Sequence, residues 1–212
     1  MDTNITYAQV RRAVEGRGFK FFDAGPYDLN LVAIRNDNRD FETDAFDDLL
    51  VCAYLDHDRK PRADVWPCTT DPGLCMITHP TFAEAIANCA AFIAPGQYRG
   101  AYVRGWHGAG AWRHEALVQV RRMNYHRVKS ATGHVSELDH LPTQWGVFGT
   151  NIHRALAAGL ARNVGNFSAG CVVLQDAVHL SALLALVTLQ TTRGYGASVT
   201  LSLILQRFFY IK

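Results

Sequence analysis

The sequence has no run of about 18 uncharged apolar residues, so it offers no helical membrane span. Its N-terminus, Met1-Asp2-Thr3-Asn4, lacks the basic start and apolar stretch of a signal peptide. The expectation is synthesis in a host cytoplasm without a built-in export signal. The five cysteines, Cys52, Cys68, Cys75, Cys89 and Cys171, form no C-x-x-C pair and no zinc-finger spacing. An odd number leaves at least one unpaired in the monomer, and without export all five are expected to be reduced. No helical i, i+4 histidine pair suggests a metallopeptidase, and neither a G-x-x-x-x-G-K loop nor a G-x-S-x-G elbow occurs. The acidic stretch NDNRDFETDAFDD at 36–48 lacks the central Gly and final Glu of an EF-hand loop, so it reads as a solvated loop rather than a calcium site. Repeats, low-complexity tracts and linkers are absent. No metal or cofactor is expected.

What is present is ordinary globular material: 212 residues, 49% hydrophobic and 19% charged, enough for a sizeable core. The net charge of +2 is unevenly spread. Residues 1–80 carry 14 Asp/Glu and 9 Lys/Arg, and residues 81–212 carry 5 and 12. A positive field in the second part would favour a thiolate and attract anionic partners. The plainer reading is two differently solvated faces.

Periodicity predicts a helix over 7–17, with Tyr7, Val10 and Val14 on one face and Gly18 as its stop. Strands are predicted over 29–35, 49–55, 74–78, 97–106 and 117–128, with a turn at Thr69-Thr70-Asp71-Pro72-Gly73. Residues 82–93 fit helix or strand equally, and 129–143 read as a surface loop. Residues 145–153 read as a Gly-broken strand ending at a histidine, followed by a loop or short helix. A helix over 176–192 has Asp176 as its cap and Gly194 just beyond its end, and a last strand spans 197–211. Many strands and few helices suggest α+β, a β-rich fold of mainly antiparallel sheets with flanking helices. The domain expectation is an N-terminal helix over 1–20 and one domain over 21–212. The first four cysteines, among apolar neighbours, are expected in the core.

The chemistry concentrates in Asn151-Ile152-His153 and Ser168-Ala169-Gly170-Cys171. A cysteine attacks as its thiolate and needs a base or a positive setting. Imidazole is the usual base near neutral pH. Gly170 allows a sharp turn and close substrate approach, and such a turn can aim N–H groups at a developing oxyanion. Ser168 can add a hydroxyl. The plainer readings are a buried hydrophobic cysteine, a backbone-satisfied histidine and an ordinary turn serine.

Cys171 follows His153 by 18 positions in an Ile-His … Ser-x-Gly-Cys setting, which resembles the catalytic signature of L,D-transpeptidases (YkuD-type domains). The order of TTDPG at 69–73, APGQYRGAYVRGWHG at 94–108, ALVQV at 116–120, FGTNIHRA at 148–155 and VGNFSAGCVV at 164–173 is similar to phage and prophage proteins with a divergent version of that domain. The resemblance spans roughly residues 20–212. It implies an L,D-transpeptidase-like catalytic fold, with Cys171 as nucleophile forming a thioester with a peptidoglycan stem peptide. His153 would be its base, and Ser168 and Gly170 the supporting turn. It also implies a location in the virion, or release to the periplasm and cell wall.

The family's usual Ser-His-Gly-Cys has Ala169 in place of its His. Val173 stands where Arg or Asn is usual, and Arg154 where Gly is usual. Candidate substrate contacts are Arg154, Asn151, His107 and Trp106, with Tyr98 near the cleft. Arg99, Arg104 and Arg162 are further candidates to draw stem-peptide carboxylates. The remaining histidines show no ligand spacing. The expected function is a cysteine peptidase or transpeptidase on peptidoglycan, with other virion proteins as further partners. The rivals are a virion structural protein on a degenerate enzyme fold, and a nucleic-acid-binding module. The second is disfavoured because the arginines form no run with interleaved aromatics.

Overall fold

The computed structural model describes residues 2–37, 44–79, 89–132, 135, 138 and 141–210. The chain is a β-rich α+β protein. Helix α1 (Tyr7–Gly16) starts at a capping box, with the Thr6 hydroxyl and the Gln9 side chain each accepting the other's main-chain N–H. Eight strands close on themselves in the order β1 (Asn30–Arg35), β11 (Ser198–Leu205), β5 (Gly96–His107), β6 (His114–Gln119), β9 (Ile152–Arg154), β10 (Val172–Leu174), β3 (Pro61–Thr69), β2 (Asp48–Leu55). Pairs β1–β11 and β9–β10 are parallel and the other six antiparallel, so this sheet is mixed. A smaller antiparallel sheet runs β4 (Ala90–Ile93), β7 (Met123–Val128), β8 (Thr143–Gly146). Short helix α2 (Leu74–Thr78), helix α3 (Ala177–Thr192) and short helix α4 (Gln206–Phe209) complete the elements used below. Among the described residues no helix is long and apolar enough to cross a membrane.

Two cores explain why β1 and β2 show little hydrophobic alternation. Leu31 and Ala33 of β1 face a cluster shared with Leu183, Leu186 and Val187 of α3, whereas Val32 and Ile34 face one shared with Val10 and Val14 of α1. Successive strand side chains point to opposite faces, and here both faces are covered. Asp176 caps α3 by accepting from Val178 N–H.

Several expected elements differ. Residues 74–78 form a helix, not a strand, because the Asp44 carboxylate accepts from Leu74 N–H and satisfies a helix-start donor. The expected strand over 117–128 is two strands: pairing with β5 runs on to the bond from Val120 N–H to Ala101 O, and after the exposed Arg121 and Arg122 the chain enters the smaller sheet as β7. Gly149, at φ +72°, splits the expected strand over 145–153, and its halves join different sheets. The last strand stops at Leu205 and gives way to α4. Strand β3 is an addition: Arg62, Ala63 and Asp64 gave no apolar pattern, yet they pair fully with β2. Cys52 and Cys68 are buried, but Cys75 and Cys89 only partly. The acidic stretch lies outside the described residues at 38–43, and the ambiguous segment at 82–88.

The turn at 69–73 is not a surface turn. Thr69, Thr70 and Asp71 are buried. The buried Arg35 guanidinium pairs with Asp71 at 3.0 Å and donates to Thr70 O and Ile93 O. Asp48 accepts from both the N–H and the hydroxyl of Thr70. A charge at this depth is tolerable only when so paired and hydrogen-bonded. The turn then fixes the segment before Cys171: Gly73 N–H donates to Ser168 O at 2.9 Å. A side chain on Gly73 would collide with Gly165 O, 1.9 Å from an ideal Cβ.

Candidate functional site

Strands β9 and β10 run parallel in the register Val172↔Ile152, Val173↔His153. Ile152, Val172 and Leu174 point into the core shared with α3. By strand alternation, Asn151, His153, Cys171 and Val173 share the opposite face. Cys171 therefore lies beside Asn151, and His153 one two-residue step further along, about 6–7 Å for a strand.

Three contacts shape the bend before Cys171. The buried Ser168 hydroxyl donates to Cys171 O at 2.9 Å and accepts from Gly170 N–H at 3.1 Å. Ala169 O accepts from Ala91 N–H of β4 at 3.0 Å. Gly170 has φ +138°, and an added Cβ would lie 2.4 Å from Ala91 O, so only glycine fits. With Gly170 N–H held by Ser168, the Cys171 main-chain N–H is left without a partner among the described residues. Ser168 is buried and braces the turn.

His153 is buried, and its Nδ1 lies 2.8 Å from Arg154 O. A carbonyl only accepts, so Nδ1 carries the proton and Nε2 holds a lone pair. That Nε2 is buried without a hydrogen-bond partner. The ring is thus oriented by the main-chain carbonyl of Arg154, whatever its side chain.

Histidine 107 stacks on His153, with ring centroids 3.9 Å apart and planes 16° apart. Asn151 donates from Nδ2 to His107 Nδ1 at 2.9 Å, while its Oδ1 accepts from Gln119 N–H. The second bond fixes the amide orientation, so His107 Nδ1 is an acceptor. The Asn151 amide is thereby spent on bracing. His114, opposite His107 in the β5–β6 ladder, completes a group of three imidazoles, 5.4 Å from His107 and 5.7 Å from His153. Gln119 Oε1 accepts from Phe148 N–H, Thr150 N–H and the Thr150 hydroxyl, pinning the loop that leads into β9.

Burial sets the proton affinities. It pushes the Cys171 thiol up to about 11, opposed only by the Asn151 N–H. It also pushes His153 down to about 3, assisted by neighbouring His107, and His107 down to about 4. All of these groups rest neutral at pH 7. A resting thiolate–imidazolium pair is therefore disfavoured. The thiol instead points to Gly149 O at 3.7 Å, so sulphur and imidazole share a face without bonding directly. An imidazole of such low proton affinity does not ionise the thiol at rest.

Other expected contacts lie elsewhere. Trp106 alternates with His107 and projects from the opposite face, 56% exposed, with the Arg113 guanidinium 4.2 Å above its ring. Arg104 is engaged by Glu115 at 2.7 Å and by Thr188. Arg154 is half-buried and raises no ion pair among the described residues. Val173 is buried in a small cluster with Ala155 and Ala161, so it presents nothing polar to a ligand. Two open clefts, about 490 and 600 Å³, are lined around Arg99 and Arg121, and neither is lined by Cys171 or His153. Tyr98 lines the larger one.

Sequence reasoning missed His114, Gln119 and Gly149. Their link to the site runs through strand pairing, which no local motif reports. Among the described residues only Asp56, His57 and Asp58 gather possible metal-ligand atoms within 4.8 Å of one another, on the turn between β2 and β3. Comparisons of the chain with protein-family models, with curated proteins and with solved structures found no match.

Proposed function

We propose that the chain is a cysteine peptidase or transpeptidase of L,D-transpeptidase-like fold acting on peptidoglycan stem peptides. One observation carries the reading: Cys171 and His153 share a face of two adjacent parallel strands, with His153 held in the tautomer that leaves a buried, unpartnered Nε2. In the proposed reaction the Cys171 sulphur attacks an amide carbonyl while its proton passes to His153 Nε2. The oxyanion lies against the unpartnered Cys171 N–H. Collapse expels the amine, which takes the proton from His153, and leaves a thioester. Water or a second amine then releases the acyl group, giving hydrolysis or transfer. Val173 stands where the resembled family usually has Arg or Asn and lies in an apolar cluster, so in this reading recognition of a peptide carboxylate rests on other residues.

A second reading, a virion structural protein on a degenerate enzyme fold, is favoured by the missing sulphur–imidazole hydrogen bond and by clefts that open elsewhere. Digestion of purified wall fragments with wild type and Cys171→Ala separates the two. The enzymatic reading expects new peptide fragments from wild type alone. Identical fragments from both proteins, or none from either, favour the structural reading.

A further inference from the structure

We propose that the cleft beside Arg99 and Arg121 binds the phosphoryl group of a small hydroxylated phosphate ester. This inference does not rest on the chemistry of Cys171. Where β5 meets β11, the ladder slips: Tyr102 faces Val199 and Tyr98 faces Leu201, so Arg99, Gly100 and Ala101 stand opposite Thr200 alone. Bulges of this kind re-aim side chains and open a sheet locally. Gly100 sits at the bulge with φ +59°, and an added Cβ would meet Ser198 Oγ at 3.1 Å and Arg121 Nε at 3.6 Å. Those two distances place the Arg121 guanidinium arm and the Ser198 hydroxyl over the same glycine. The Arg99 guanidinium lies 6.0 Å from the ring of Phe22, which lines the same cleft.

The cleft, about 490 Å³, gathers donors. Arg99 and Arg121 are exposed, and neither has a carboxylate partner among the described residues. Ser198 and Tyr195 contribute hydroxyls, and Thr200 accepts from Gly100 N–H at 3.1 Å, which leaves its own proton to donate. Two planar guanidinium forks plus hydroxyls match the three oxygens of a phosphate monoester better than the two of a carboxylate. The one acid in the wall, Asp28, already accepts from Ala24 N–H at 3.0 Å through Oδ2. It would repel a second anionic group but can accept from ligand hydroxyls, hence the hydroxylated body. Arg122 lines only the neighbouring cleft and serves as a control.

The test is calorimetric titration of the full chain with ribose 5-phosphate, ribose, inorganic phosphate and succinate. The expected result is saturable binding of ribose 5-phosphate, competed by inorganic phosphate. It should weaken about tenfold or more in both Arg99→Gln and Arg121→Gln, and stay unchanged in Arg122→Gln. Ser198→Ala should weaken it about threefold, which keeps the test open should an arginine variant fold poorly by circular dichroism. Three results each overturn the proposal: no saturation by ribose 5-phosphate below about 10 mM, equal or tighter binding of succinate, or affinity unchanged by the arginine and serine variants.

Discussion

Thiol reactivity against pH tests whether Cys171 and His153 rest as a neutral pair. Burial moves the thiol from an ordinary 9.0 to about 11, so at pH 7 the thiolate population is about a hundredfold smaller than for a free cysteine. A more basic thiolate is intrinsically more nucleophilic, by about tenfold over two units at a Brønsted slope near 0.4–0.5. The net expectation is disulfide exchange about tenfold slower than at a free cysteine at pH 7. The rate should then rise about tenfold per pH unit through pH 9 and 10 without levelling. The assay is reaction with a small aromatic disulfide, quantified by mass spectrometry on the peptide that carries Cys171 and so resolved from partly buried Cys75 and Cys89. His153→Ala should leave this profile nearly unchanged, because the imidazole does not ionise the resting thiol. A plateau below pH 8 that disappears in His153→Ala would refute the reasoning and point to a preformed ion pair.

Stability should fall with acid through His153. Its folded value of about 3 lies below the ordinary 6.5, so its stabilising term is complete above about pH 6.5 and is lost as pH falls toward 3, several kcal/mol in all. Urea unfolding between pH 7 and 4 should show this slope, and His153→Phe should reduce it to the part that His107, lowered to about 4, contributes in the same direction. Gly170→Ala forces a Cβ to 2.4 Å from Ala91 O in a left-handed conformation; thermal melting should report a loss of about 2–4 kcal/mol. Asn151→Ala strips the partner from His107 Nδ1 and from Gln119 N–H. It should cost about 1–3 kcal/mol and broaden the His107 and His153 ring resonances in NMR spectra.

The legible parts of the sequence were those set by local physics. The capped helices, the buried strands of β1 and β2, and the glycine bend at 170 follow from periodicity, capping and backbone sterics. Reading 74–78 as a strand failed because five apolar residues fit either period, and Asp44, 30 positions away from Leu74, supplies the deciding contact. Likewise, Asn151 and His107 looked like groups free to meet a ligand. They are instead bound to each other across 44 positions, a contact created by the order of strands β5, β6 and β9. Trp106 was grouped with its neighbour by sequence proximity, yet strand alternation sends the two to opposite faces. The cleft at Arg99 needed a bulge in the β5–β11 ladder that only pairing reveals.

The proposed function stands on a covalent acyl bond between the Cys171 sulphur and a wall peptide. Intact-protein mass spectrometry after incubation with purified stem-peptide fragments, quenched in acid to preserve a thioester, tests this most directly. The expected result is a wild-type adduct equal to the acyl portion of the peptide, mapped to Cys171, removed by hydroxylamine and strongly reduced in His153→Ala. An unmodified protein with every fragment tried, or the same adduct in Cys171→Ala, would contradict it.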